Sequence, residues 1–222
     1  MRYQPLFMIK VINTFLGYII TIINLIFNYK VKLILSKIFI YIYSIWISKQ
    51  QFIQIGTNVR FGGKLTLHGS QYICIGSNSK FGYGCILTAW DKYGKQNLSP
   101  HISIGKNSFF GEYNHITAIN SITIGDGVLT GRWVTITDNA HGKSCYKELC
   151  EKPYLRDLYS KGKVIIGNNV WIGDKVSIMP NVKIGESSII AANSVVTKDI
   201  PPFSVAAGIP AIVVKRITPD TD

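Results

Sequence analysis

The stretch Ile166–Val196, IGNNVWIGDKVSIMPNVKIGESSIIAANSVV, repeats itself every six residues. Ile166, Ile172, Ile178, Ile184, Ile190 and Val196 stand six apart, and a second small or apolar residue follows at Val170, Val176, Val182, Ser188 and Ser194. A period of six is neither the 3.6 of a helix nor the simple alternation of a half-buried strand. It fits a solenoid in which each hexad is one short strand and a corner. The aliphatic residue points into the shaft, and Gly, Asn or Asp takes a corner of positive φ that a β-branched residue resists. One hexad cannot bury its apolar face alone, so coils must stack into a continuous core. The stretch predicts a parallel β-helix.

Outward from that block the period continues. It begins at Ile55, Phe61 and Leu67, resumes as Ile75, Phe81 and Leu87, and returns as Ile104, Phe110, Ile116 and Ile122. The register then slips by two, to Ile124, Thr130 and Ile136. Two segments interrupt it, 88–103 and 137–165, and Pro201, Pro202, Gly208 and Pro210 mark the exit from the shaft. Insertions in solenoids gather on one face and often build the binding site. The expected organisation is an apolar N-terminal segment, 1–49, followed by a β-helix domain, 50–217, carrying both insertions.

The N-terminal segment is of a different character. Residues 11–28 form an uncharged apolar run, and a second run, 33–48, is broken only by Lys37. Each is near the length at which a membrane-spanning helix becomes a candidate. Arg2 and Lys10 precede the first run and Lys30, Lys32 and Lys37 follow it, so charge gives little sense of orientation. The first run is long and lacks a small-residue cleavage site, which disfavours a removed signal peptide. Three readings remain: a hairpin dipping into a membrane, a pair of interfacial helices, or an apolar cap on the solenoid or on a neighbouring subunit.

Charge supports the membrane readings. The net charge is +12, and residues 1–90 hold nine Lys or Arg and no acid before Asp91. Basic excess beside long apolar runs points to an anionic membrane surface. No nucleic-acid motif occurs, and a β-helix offers no groove-reading element. The four cysteines, Cys74, Cys85, Cys145 and Cys150, form no C-x2-C pair and no disulfide framework, which fits a reducing compartment.

The densest polar cluster is Thr137-Asp138-Asn139-Ala140-His141-Gly142, where the repeats give way to the second insertion. A histidine beside an acid at such a place can be a general base, because it titrates near neutrality and a carboxylate can fix its tautomer. A solvated loop histidine has the same spacing. His115 neighbours the inward Ile116 and so points outward or toward a subunit contact. A zinc site of three histidines would need a close His pair, which neither His115 nor His141 has, so no metal is expected.

Three blocks carry a resemblance: Ile116–Gly142 (ITAINSITIGDGVLTGRWVTITDNAHG), Ser160-Lys161-Gly162 with VIIGNNVWIGD, and Ala191–Ala211 (AANSVVTKDIPPFSVAAGIPA). They resemble the hexapeptide-repeat O-acetyltransferases, which include galactoside and maltose acetyltransferases and those of capsule, lipopolysaccharide and exopolysaccharide synthesis. The resemblance covers about residues 50–217. It implies a left-handed helix of triangular coils with three hexads each, an exception to the usual right-handed crossover. It also implies a homotrimer with acetyl-CoA as co-substrate between adjacent shafts, and a catalytic histidine at the TD-x-x-H position, His141.

The same resemblance matches Trp171, Ala192, Thr197, Lys198 and Lys215 to the cofactor, whose phosphates lysines can meet. Read alone, those lysines are solvated surface charges. Many relatives have a histidine where this chain has Asn139, a position implied to place acceptor or base, and they tend to carry a histidine in the segment matching Asn114-His115-Ile116. That adds His115 to the candidate catalytic residues and Asn114 to those for the acceptor.

The expected reaction is direct transfer in a ternary complex. His141 takes the proton of an acceptor hydroxyl as that oxygen attacks the thioester, and Asp138 or a backbone carbonyl holds the ring. Backbone N–H groups stabilise the oxyanion. Cys145 and Cys150 lack a paired base, so a covalent intermediate is not expected. The acceptor is placed near Trp90, Asp91 and Tyr93, an aromatic face with a carboxylate that suits a sugar, although Trp90 could equally cover a coil edge. The leading expectation is a sugar O-acetyltransferase acting on a polysaccharide or lipid-linked precursor at the cytoplasmic face of the inner membrane. The alternatives are a non-catalytic trimeric scaffold and an N-acetyltransferase of an amino sugar; serine acetyltransferase fits the apolar N-terminus least.

Overall fold

A computed structural model describes residues 4–26 and 28–219. Arg2 and Phe27, which entered the reading of the apolar segment, lie outside the described residues. The chain forms two compact units, Met1–Ile42 and Tyr43–Asp222.

The first unit is helical. Helix α1 spans Gln4–Ile26 and α2 spans Tyr29–Ser48. Asn28 caps α2, its side-chain oxygen accepting from the Lys30 N–H at 2.9 Å. Apolar side chains are exposed on every face of α1, among them Ile9, Phe15, Ile20 and Leu25. Thr14 and Thr21 donate their hydroxyls back to the carbonyls of Lys10 and Gly17, leaving neither side chain in need of water. Met8–Leu25 and Tyr29–Ser48 are each long and apolar enough to cross a membrane.

The second unit opens with the last turns of α2. Ile47 is buried, the buried Ser44 hydroxyl accepts from the Phe61 N–H at 2.9 Å, and the Tyr43 hydroxyl accepts from the Leu65 N–H at 3.0 Å. These contacts cover the open end of the first coil.

From Gln54 the chain winds as a left-handed parallel β-helix of three sheets. The first face runs Gln54–Ile55, Ile73–Ile75, His101–Ile104, Ser121–Ile124, Val164–Ile166 and Lys183–Ile184. The second runs from Arg60–Phe61 through Lys80–Phe81, Phe109–Phe110, Leu129–Thr130 and Trp171–Ile172 to Ile189–Ile190 and Ser204–Gly208. The third holds Thr66–His68, Ile86–Ala89, His115–Ala118, Thr135–Thr137, Ser177–Ile178 and Val195–Val196. An antiparallel strand, Ala211–Arg216, closes the second face.

The six aliphatics spaced six apart all point inside, with Ile172, Ile178, Ile184, Ile190 and Val196 fully buried. Phe61, Phe81 and Phe110 stack in register, with ring centroids 5.2 and 4.8 Å apart. The two-residue slip has a simple cause. Ile104 pairs with Ile124 across a coil of 20 residues, and both Ile122 and Ile124 of that strand point inward.

The corners differ from expectation in one respect. The left-handed residues of the last block are Asn169, Lys175, Asn181, Ser187 and Asn193, with φ between 54° and 63°. Gly167, Gly173 and Gly185 are not left-handed. They serve close approach: a Cβ on Gly173 would lie 2.6 Å from the Ala192 backbone nitrogen of the next coil.

Both insertions leave the shaft at one corner, between the third and first faces. Thr88 and Ala89 still belong to a strand of the third face, and His101–Ser103 to one of the first. What remains of the first insertion holds a small hairpin, Lys92–Tyr93 with Gln96–Asn97. The second folds back so that Ala140–His141 pairs antiparallel with Leu158–Tyr159.

Candidate active site

His141 stands where the second insertion starts, its backbone fixed in register with Leu158. Gly142 follows with φ 82° and donates its N–H to the Asp157 carbonyl at 2.8 Å. The ring meets the tip of the first insertion: the Tyr93 hydroxyl lies 3.3 Å from His141 Nδ1, and the two rings meet edge to face at 5.5 Å. The same hydroxyl donates to the Tyr154 carbonyl at 3.1 Å.

Gln96 joins the two insertions a second time. Its Nε2 donates to the Leu158 carbonyl at 3.1 Å and its Oε1 accepts the Leu158 N–H at 2.7 Å. The side-chain amide thus replaces a strand neighbour for the residue opposite His141.

Asp138 does not hold the histidine ring. It is fully buried, and its oxygens accept the N–H groups of Ile119 at 2.9 Å and Asn120 at 2.8 Å, with the Asn139 side chain at 3.1 Å. Its carboxylate ties the exit of this strand to the corner of the preceding coil, and His141 Nδ1 lies beside the Tyr93 hydroxyl instead. Asn139 turns inward as well, its amide donating to the Thr117 carbonyl at 3.3 Å.

Asn114 is corrected by its surroundings. It is buried in the shaft, its Oδ1 accepting from the Val134 N–H at 2.7 Å and its Nδ2 donating to the Thr130 hydroxyl, so neither end is open to an acceptor. His115 lies outward on the third face, registered between Ile86 and Thr135. Burial holds its proton affinity below that of an ordinary histidine.

Trp90 lies tilted against His68 with ring centroids 4.3 Å apart, and Asp91 accepts from the Tyr72 hydroxyl at 3.1 Å. Both anchor the first insertion on the first coil, so of the three residues assigned to the acceptor face only Tyr93 reaches His141. Among the described residues no group of three His, Cys, Asp or Glu could hold a metal.

The residues matched to the cofactor are distributed around the shaft. Trp171 projects from the second face and Lys215 from its closing strand. Ala192 sits at the corner between second and third faces, while Thr197 and Lys198 occupy the third-to-first corner, opposite the second face. Along the outside of that second face, Phe109, Leu129, Trp171, Ile189 and Val205 stand in register.

The family model described as Bacterial transferase hexapeptide (six repeats) matches residues 163–198. The putative lipopolysaccharide biosynthesis O-acetyl transferase WbbJ of Escherichia coli K12 is 34% identical over 167 residues, spanning 73% of this chain and 80% of that protein. Galactoside O-acetyltransferase of the same organism is 41% identical over 128 residues, 54% of this chain and 57% of that protein, so little more than half of that relative's length is matched. Among solved structures, AntD, an N-acyltransferase from Bacillus cereus in complex with dTDP and 3-hydroxybutyryl-CoA, aligns with a TM-score of 0.62. That alignment is 21% identical and covers 78% of this chain and 87% of the other, which establishes a shared fold. From the repeat, the coil geometry and the match over four fifths of a named acetyltransferase, the chain belongs to the hexapeptide-repeat acetyltransferase family.

Proposed function

We propose that this chain is an acetyl-CoA-dependent O-acetyltransferase acting on a sugar hydroxyl of a polysaccharide or lipid-linked saccharide precursor. The observation that carries the reading is His141, exposed at the junction of the two insertions with its Nδ1 beside the Tyr93 hydroxyl. An imidazole held by one nitrogen offers the other to a substrate. His141 Nε2 accepts the proton of the acceptor hydroxyl while that oxygen bonds to the thioester carbonyl carbon. The carbon–sulfur bond then breaks, and the departing thiolate takes the proton back from Nε2. The named relatives, a galactoside and a lipopolysaccharide O-acetyltransferase, support both the acetyl donor and a sugar acceptor.

The working form in this reading is a homotrimer. Trp171 and Lys215 lie on the opposite side of the shaft from Thr197, Lys198 and the His141 insertion, so one extended donor reaches both sets only between two copies. The apolar column on the second face gives each copy a surface to bury there. Residues 1–49 place the enzyme on a membrane, and the cytosolic source of acetyl-CoA puts the β-helix on its cytoplasmic face.

The test is a comparison of the full chain with His141→Ala in detergent, by calorimetric titration of acetyl-CoA and by transfer to a panel of saccharides. Binding by both with turnover only in the parent is expected. A folded parent that binds no acetyl-CoA would overturn the reading.

A further inference from the structure

The Tyr93 hydroxyl has one proton to give and two neighbours to satisfy. One neighbour is the Tyr154 carbonyl, which only accepts and lies 3.1 Å away. The other is His141 Nδ1 at 3.3 Å, which donates or accepts according to the tautomer. If Nδ1 were bare, the hydroxyl could serve only one of them. Both contacts are made at once only when Nδ1 carries hydrogen and donates to Tyr93, while Tyr93 donates to Tyr154.

We infer that Tyr93, backed by the Tyr154 carbonyl, is the positioning residue that sets the His141 tautomer, with hydrogen on Nδ1 and the lone pair on Nε2. The inference rests on the proposed role of His141 as base and supplies the partner that Asp138, committed elsewhere, does not. It also gives the first insertion a purpose in the reaction. Gly94, left-handed at φ 56°, turns the hairpin, and Gln96 clamps it to Leu158, the residue paired with His141. The hairpin therefore delivers a hydroxyl to the ring and braces the strand that bears it. The carbonyl at the end of the chain of bonds belongs to the second insertion, so each insertion contributes one half of the arrangement.

The experiment uses the full chain, Tyr93→Phe and Gln96→Ala. Steady-state acetyl transfer is measured beside nitrogen-15 NMR of the histidine ring nitrogens, with His141 assigned by its loss in His141→Ala. Tyr93→Phe removes the hydroxyl and keeps the ring, so kcat is expected to fall about tenfold or more with KM nearly unchanged, in line with losing an oriented base. Its His141 signals are expected to move from a single protonated Nδ1 to an averaged pair of tautomers. Gln96→Ala loosens the hairpin without touching the ring; it should raise KM or lower stability while the Nδ1–H signature persists.

An unchanged tautomer and unchanged kcat in Tyr93→Phe would overturn the inference. So would an averaged pair of tautomers at His141 in the parent, since the hydroxyl would then fix neither nitrogen. A parent that transfers no acetyl group yet shows the tautomer change in Tyr93→Phe would sustain the assignment at the ring and sink the proposed reaction instead.

Discussion

His115 shows how one residue's environment can be read into behaviour. It is half-buried on the third face between Ile86 and Thr135, and burial lowers its pKa from 6.5. The unfolded chain takes up a proton as pH falls through 6.5, whereas the folded chain does so only at lower pH. Below 6.5 the unfolded state therefore binds more protons, and stability must fall as pH drops toward the folded value. Urea midpoints measured from about pH 7.5 to about pH 5.5 should decline in the parent and decline less in His115→Asn; equal slopes would show that His115 titrates alike in both states. The candidate site was only partly legible at this scale. His141 stood out because a polar cluster broke a strict repeat, and the TD-x-x-H pattern pointed to the same residue. Gln96 and Tyr154 left no mark, because their partners lie 62 and 61 residues away and a side-chain amide capping a backbone group has no periodicity. Asp138 misled for the opposite reason. A carboxylate three residues before a histidine suggests a pair, but two backbone N–H groups at a sharp exit from a strand claimed it first.

The elements separate into those set by pattern and those set by stacking. The strands were legible because an aliphatic every six residues must meet the next coil's aliphatic, and the pairing of Ile172 with Ile190 follows directly. The corners were less so, since a column of identical turns imposes left-handed geometry even on Lys175, Ser187 and Trp133, types that disfavour it alone. The helices followed from run length, yet the end of α2 did not read as part of the shaft: Tyr43 and Ser44 look like any other residues of an apolar run until Leu65 and Phe61 present backbone N–H groups to them, and Ile47 is buried beside them in sequence. The exposed apolar surface of α1 needs a cover. Water does not tolerate Met8–Leu25 uncovered, and the basic residues Lys10, Lys30, Lys32 and Lys37 favour an anionic surface. The full chain should sediment with vesicles containing phosphatidylglycerol, more weakly with neutral ones, and a chain starting at Tyr43 should stay in the supernatant. Retention of vesicle binding by the shortened chain would place the membrane contact on the β-helix instead.

For the whole molecule, the decisive fact is that one shaft separates the residues assigned to base and donor in the proposed reaction. The His141 insertion emerges at the corner opposite the second face, and that face carries Trp171 and, through its closing strand, Lys215. If the donor bridges two copies, a site needs His141 from one chain and Trp171 from its neighbour. Neither His141→Ala nor Trp171→Ala should then support full turnover as a homogeneous preparation. Unfolding and refolding the two together would produce mixed trimers in which some interfaces combine an intact His141 with an intact Trp171. Random assortment at equal amounts makes about a quarter of the interfaces competent in a cyclic trimer, so activity should return to about a quarter of the parent's. The recovered activity should appear only after subunit exchange and not on simple mixing of preformed trimers. If both residues acted on one donor within one chain, every chain in the mixture would still lack one of them, and exchange would restore nothing. The same mixtures, resolved by mass, would report the subunit number directly, so a mixture that restores activity as a dimer would keep the shared site and remove the threefold arrangement.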